Sequence, residues 1–284
     1  MNPISVNELT ESVNSNLPRD IKSTIAKNIL AEEKDSDVAK NIFSELINDL
    51  SSKTQREVVN ATGTVLHTNL GRSPNNISFS GSYTNIEYDL KTLSRGKRNE
   101  YLSVLMNNLI GSKDIAFVNN NASSLFLSLK AISKSHNIQN VIISRGEIIE
   151  IGGSYRLPEI INETGLNLVE IGTTNKTKLS DYRKALEKYP NSLILKVHRS
   201  NFSINGFTED VSIEELAELK NKFDVFLFHD LGSGLVIDKK FLEINNISIF
   251  KDEPFVQDSL SDGANLVMFS GDKLFGSVQS GMIA

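Results

Sequence analysis

The 284-residue sequence contains no cysteine. Disulfides, thiolate metal sites and a cysteine nucleophile are excluded together, so a secreted disulfide scaffold is ruled out and an intracellular protein is the plain expectation. Long apolar runs are also missing. No stretch approaches the roughly 20 residues that span a bilayer, and Met1–Glu11 lacks the basic-then-apolar order of a secretory leader. A soluble, cytoplasmic chain with no membrane partner is expected. Positive charge is not in excess either: 30 Lys and Arg against 35 Asp and Glu give a formal net charge of −5. That offers no global attraction to nucleic acid, and no DNA partner is expected; any RNA contact would need a local basic patch. The four histidines, His67, His136, His198 and His229, have no zinc-site spacing, and no metal is expected. Walker A, GxSxG and dinucleotide-binding glycine signatures are absent, which leaves NTPase, serine hydrolase and Rossmann dehydrogenase readings without motif support.

What is present is globular: hydrophobic residues make up 39% and charged residues 23% of the chain, close to ordinary domain averages. The length suits one large domain with a smaller appendage. Residues 1–57 read as short amphipathic helices, with Ile21, Ile25, Ile29, Val38, Ile42, Leu46 and Leu50 at helical intervals. Seven basic against ten acidic side chains make this segment a poor match to a simple basic arm. From Val58 the pattern changes to short apolar runs alternating with helix-like stretches, the mark of an α/β sheet with crossover helices. The spacing predicts strands over 115–118, 141–144, 167–171, 193–197, 225–229 and 266–270, and helices over 122–133, 179–188 and 213–222. Several of these strands are almost wholly apolar, as parallel strands covered on both faces are.

Ligands of open α/β sheets gather beyond the carboxyl ends of strands, and the polar motifs of this chain fall there. Asn119-Asn120-Asn121-Ala122-Ser123 joins a strand to a helix. It could present N–H groups to a phosphate, although taken alone ordinary helix capping is the better account. His229-Asp230-Leu231-Gly232-Ser233-Gly234 puts a carboxylate just past a strand, where it could keep a pyridine nitrogen protonated or simply cap a turn. Ser270-Gly271-Asp272-Lys273 puts a lysine in a tight turn after another strand; a lone loop lysine is usually solvated surface. Arg72 closes a run, Val59–Ser73, dense in Asn, Thr, His and Gly, and could pair with an anionic substrate. Arg95, Lys97 and Arg98 form a second cationic cluster, of the kind that is usually a solvated face.

Taken in order, Asn60–Arg72, Asn119–Asn121, Ser144-Arg145-Gly146-Glu147 through Ile151-Gly152-Gly153-Ser154, Asp230–Gly234 and Ser270–Lys273 resemble the bacterial L-seryl-tRNA(Sec) selenium transferase (selenocysteine synthase) family. The resemblance runs from Val58 to the last residue and is looser over the N-terminal helices. It implies a large domain of the fold-type I class, which depends on pyridoxal 5'-phosphate (PLP), over residues 58–284, and a small tRNA-binding helical domain over residues 1–57. It further implies Lys273 as the Schiff-base and catalytic lysine and Asp230 facing the ring nitrogen. Asn119, Asn120, Asn121, Ala122, Ser123 and Ser270 would contact the cofactor, and Arg72 the selenium donor. The implied reaction converts seryl-tRNA(Sec) to selenocysteinyl-tRNA(Sec) with selenophosphate, through a PLP-bound dehydroalanyl-tRNA, in a homo-oligomer that is a ring of dimers.

The sequence departs from the family pattern at Ser277-Val278, where Gly-Pro is expected, and at Arg199, where Thr is expected; both bear on local loop geometry. Leu93–Arg98 diverges as well, and neither its cations nor Arg145 are assigned a role. Family members also continue well beyond the lysine, whereas this sequence stops at Ala284. A strand cut at Met282-Ile283-Ala284 is expected to leave unpaired backbone and exposed apolar surface, making the isolated chain poorly soluble or inactive. Two other readings compatible with the residues are a related PLP-dependent lyase acting on a small amino sugar or amino acid, and an inactive fragment.

Overall fold

The computed structural model describes residues 3–52, 57–75, 81–152, 155–248, 250 and 252–284. Two compact units divide the chain, Met1–Ala61 and Thr62–Ala284. The first holds three helices, α1 (Val6–Glu11), α2 (Arg19–Glu32) and α3 (Ser36–Ser52). Helix α1 starts on a reciprocal cap: Ser5 Oγ accepts from the Glu8 N–H while the Glu8 carboxylate accepts from the Ser5 N–H. Leu9, Ala26, Phe43 and Ile47 form the small core. The periodic stripe Val38, Ile42, Leu46 is left about 40% exposed, and the buried face of α3 lies one position further on, at Ala39, Phe43 and Ile47. This helix is apolar on two adjacent faces, so spacing alone does not say which one packs.

The second unit contains a seven-stranded sheet with strands β1 (Ala116–Val118), β2 (Asn140–Ser144), β3 (Asn167–Ile171), β4 (Ser192–Val197), β5 (Phe226–Gly232), β6 (Leu266–Ser270) and β7 (Gly281–Ile283). Its spatial order is β1-β7-β6-β5-β4-β2-β3, with β7 antiparallel to both neighbours and the other four pairings in the row parallel. The helices that cover it are α4 (Glu100–Ile110), α5 (Asn121–His136), α6 (Leu157–Glu163), α7 (Leu179–Lys188), α8 (Ile213–Phe223), α9 (Lys239–Ile244) and α10 (Val256–Ser261). Strand alternation sorts the core into layers. Val141, Ile143, Leu193, Leu195, Val197, Phe228 and Met268 pack with Leu125 and Leu129 of α5. Ile142, Ile194 and Leu227 face the other way, against Tyr182 and Leu186 of α7 and Leu216 of α8. This is the fold-type I architecture expected from the sequence. No helix of the described residues is long and apolar enough to cross a membrane.

Two expectations are corrected. The strand carrying Asp230 does not stop at His229: it runs to Gly232, because Asp230 is in register with Val197 on one side and Met268 on the other. Gly281–Ile283 is not an unpaired edge either. It lies inside the sheet, bonded to β6 and β1, and Ala284 exchanges both backbone hydrogen bonds with Val267. Gly281 fits there because it has no side chain, for a Cβ would collide with the Asn120 carbonyl and Ser124 Oγ. Within the Ser144–Ser154 segment, Gly153 and Ser154 lie outside the described residues.

The carboxyl ends of β2 and β4 are tied by buried charge. Lys196 Nζ donates to Glu147 Oε1 and Asp210 Oδ1, each at 2.6 Å, and Glu147 Oε2 accepts from the Val197 N–H at 2.9 Å. Arg199 extends the network to Asp210 at 3.2 Å. Glu147 is fully enclosed; burial drives its carboxyl up, and Lys196 opposes that rise. Removing one member of such a pair strands the other charge, which typically costs about 3–5 kcal/mol. Lys196→Met is therefore expected to lower the urea unfolding midpoint markedly, and adding Glu147→Leu to restore much of it. A single variant as stable as the parent would show that the pair holds nothing together.

Candidate active site

The site is assembled at the carboxyl edge of β5 and β6. Past β6 the chain turns sharply: the Gly271 N–H donates to the Ser280 carbonyl, the Ser277 N–H to the Gly271 carbonyl, and the Gly276 N–H to the Lys273 carbonyl. The departure at Ser277 from the family pattern thus leaves the turn closed. Lys273, half-buried, stands on this turn, and Ser270 is buried at its root. The Lys273 ammonium is held below the ordinary lysine range, first by burial and then by the charge of Arg72, against the pull of Asp230, Asp272 and Glu253.

Arg72 arrives from a segment that is neither strand nor helix but a 3-10 turn, Thr68–Leu70, followed by Gly71 and Arg72, both with left-handed backbone. Its Nη1 donates to Asp272 Oδ2 at 2.8 Å, and the next N–H, of Ser73, donates to the Asp272 carbonyl. Asn75 Nδ2 reaches the Ser277 carbonyl at 2.9 Å. A segment 200 residues away in sequence is thus stitched along the lysine turn. Asp272 Oδ1 is buried with no hydrogen-bond partner among the described residues.

Asp230 is buried within β5 on the face toward α5. Asn121 Nδ2 donates to its Oδ1 at 2.7 Å and the Gly232 N–H to the same oxygen at 3.0 Å. Burial raises its proton affinity; Asn121, Gly232, Lys273 and His198 work against that. At the start of α5, Asn120 Oδ1 caps the Ser123 N–H at 2.8 Å, so this part of the Asn119–Ser123 turn is an ordinary N-cap. Asn119 is exposed, and Ala122 and Ser123 are half-buried.

Three further groups belong to this edge. Glu253 Oε2 lies 3.3 Å from His198 Nε2 and accepts from Ser233 Oγ at 3.1 Å, and the His198 N–H donates to the Asp230 carbonyl. Burial would raise the Glu253 carboxyl, but its bond to His198 and the neighbouring charges hold it below the ordinary value. His229, on the opposite face from Asp230, contacts Ser259 Oγ at 3.1 Å and is driven down to about 3 by burial. It is a neutral imidazole at physiological pH. A cavity of about 280 Å³ opens here, against Lys196, His198, His229 and Glu253. A larger one, about 690 Å³, lies at the amino-terminal edge of the sheet against His136, Tyr189 and Phe226, far from this chemistry.

Lys273, Asp230, Asn121, Ser270 and Arg72 are therefore brought to one edge. Arg95 and Arg98 instead share Glu87 on an exposed hairpin, Lys97 is exposed between them, and Arg145 pairs with Glu170. Asp272, Glu253 and His198 were not assigned by sequence reasoning. Asp272 was signalled only by its place beside Lys273, and Glu253 sits in no motif.

Residues 58–284 match the family model for L-seryl-tRNA selenium transferase. The chain is 41% identical to the L-seryl-tRNA(Sec) selenium transferase of Aliarcobacter butzleri over 287 residues, covering 94% of this chain and 61% of that protein. It is 45% identical to that of Moorella thermoacetica over 235 residues, 80% of this chain and 48% of that one. It thus spans about half to three-fifths of these relatives' length. Among solved structures, D-glucosaminate-6-phosphate ammonia-lyase shares the fold, with a TM-score of 0.51 and 16% identity over 65% of this chain and 47% of that one. On the family match and these identities, the chain belongs to the L-seryl-tRNA selenium transferase family.

Proposed function

We propose that this chain is the cofactor-binding part of a PLP-dependent enzyme that converts seryl-tRNA(Sec) to selenocysteinyl-tRNA(Sec) with selenophosphate. It would work in the cytoplasm as a homo-oligomer, a ring of dimers, with the helical unit contacting the tRNA. The observation that carries the reading is the meeting of Lys273, Asp230 and the Arg72–Asp272 pair at one sheet edge.

The residues suit PLP. Asp230 Oδ1 is occupied by Asn121 and Gly232, while Oδ2 takes no hydrogen bond among the described residues. A buried carboxylate in that state calls for a cationic donor, and a protonated ring nitrogen is one. With the Ser123 N–H taken by Asn120, the Asn121 and Ala122 N–H groups at the head of α5 have no intrahelical acceptor and suit a phosphate. The backbone of the Asn119–Ser123 turn would hold that group, and Ser270 would line the wall. When bound, PLP supplies an electron sink for charge developing at the substrate Cα. Lys273, which burial and Arg72 make readier to give up its proton than an ordinary lysine, would hold the cofactor covalently and then take the proton from the seryl Cα. Arg72, fixed by Asp272, would steer the anionic selenium donor toward Cβ.

Borohydride reduction of PLP-treated protein, followed by peptide mapping, is expected to label Lys273 and to leave Lys273→Ala unlabelled. Label elsewhere in folded protein would end the cofactor assignment. Arg72→Leu removes a positive neighbour of the lysine and frees Asp272, both of which favour the ammonium. The pH midpoint of PLP adduct absorbance is accordingly expected to move up; an unchanged or lower midpoint counts against the electrostatics described. Binding of seryl-tRNA(Sec) at moderate salt tests the substrate. No binding by the full-length protein, with Lys273 still labelled, would turn the reading to a small amino acid or amino sugar.

A further inference from the structure

We infer that Asn121 is the positioning residue of Asp230: its side-chain amide fixes which carboxylate oxygen faces the cofactor and favours the carboxylate form. This rests on the reading of Asp230 as the partner of the PLP ring nitrogen, and it replaces the expectation that the Asn121 side chain serves the phosphate.

The argument starts from the strand. Phe228 and Asp230 point to the same face of β5, and the residues in register beside them, Leu195, Val197 and Met268, belong to the apolar layer against α5. Asp230 thus continues an apolar stripe, in surroundings that favour a neutral acid. Only two protein donors reach its oxygens among the described residues, the Gly232 N–H and Asn121 Nδ2, and both go to Oδ1. The Gly232 donor belongs to the same strand two residues on. It can orient the carboxylate only against its own backbone. Asn121 comes from α5, 109 residues earlier, and anchors the acid to a different element.

The amide has one workable orientation. Turned over, it would aim an oxygen at a carboxylate. As placed, its own Oδ1 is buried with no partner among the described residues. An asparagine that leaves its acceptor unmatched and spends its donor on a buried acid is placed for the donor. Asn121 is also the first residue of α5, where the helix dipole favours negative charge nearby. Capping is done by its neighbour Asn120, so the Asn121 side chain is not needed to start the helix.

The test exploits the ring nitrogen without relying on turnover. PLP and 1-deaza-PLP, in which that nitrogen is a carbon, are bound to the protein, and affinities and adduct spectra are compared. The parent is expected to prefer PLP, and Asp230→Asn to lose most of that preference. Asn121→Asp keeps size and shape but replaces the fixed amide donor with a second acid that competes with Asp230 for a proton. It is expected to reduce the preference about tenfold, the scale of one hydrogen bond to a charged group, and to move the spectral pH profile. Asn121→Leu is expected to do the same where it folds, as judged by its melting transition. Asn121→Asp with parental preference and profile would show that the side chain serves packing alone, and would overturn the inference. A parent that binds both cofactors equally would instead overturn the reading of Asp230 on which it rests.

Discussion

A carboxylate enclosed in an apolar sheet cannot be left to itself, and the large unit is organised around that constraint at Asp230. Water is excluded by Phe228, Val197 and Met268 with the α5 residues above them, so its negative charge has to be met by groups the fold delivers. One donor comes from the same strand, one from the head of α5, and positive charge from the turn after the next strand. Each is fixed by a different stretch of sequence. The acid therefore reports whether β5, β6 and α5 are all in place.

The same strands run a second, separate charge system on their other face. His229 and Asp230 are adjacent, both buried, and point in opposite directions. Burial pushes the imidazole toward its neutral form and the carboxylate toward protonation. Behind the sheet, Glu147 and Asp210 are matched by Lys196 and Arg199. In front, Asp230 retains an oxygen without a protein donor among the described residues, and Lys273 sits between an arginine and several acids. A closed network holds strand ends together, whereas an open one has capacity for something else to complete it. That contrast is the physical difference between scaffold and site here.

Much of this was legible in the sequence. Apolar runs located six strands to within a few residues, since buried parallel strands leave a strong signal. The glycine-flanked Lys273 and the acid at 230 stood at strand ends where ligands gather. Three things were not legible. The packing face of α3 could not be read because Val38 and Ala39 are both apolar, leaving the period ambiguous. The register of β5 escaped because an acid reads as a strand terminator unless its distant donor, Asn121, is known. Glu253 and Asp272 were missed because their meaning depends on pairings 20 to 200 residues apart, which no local pattern encodes.

The placement of β7 has a consequence for how the unit is built. Among the described residues, strand β1 joins the sheet only through β7, which follows it by more than 160 residues. On a ribosome the central parallel strands can pair as they emerge, but β1 must wait, its edge unsatisfied, until β7 slides in between it and β6. Such late, long-range closure is slow and exposes strand edges to wrong partners. The segment bearing Lys273 lies just before β7, and the Gly271 N–H bonds to the Ser280 carbonyl at that strand's entrance, so the turn closes together with the pairing of β7. A nascent chain would thus carry Asp230 before the turn that orders Lys273 can close.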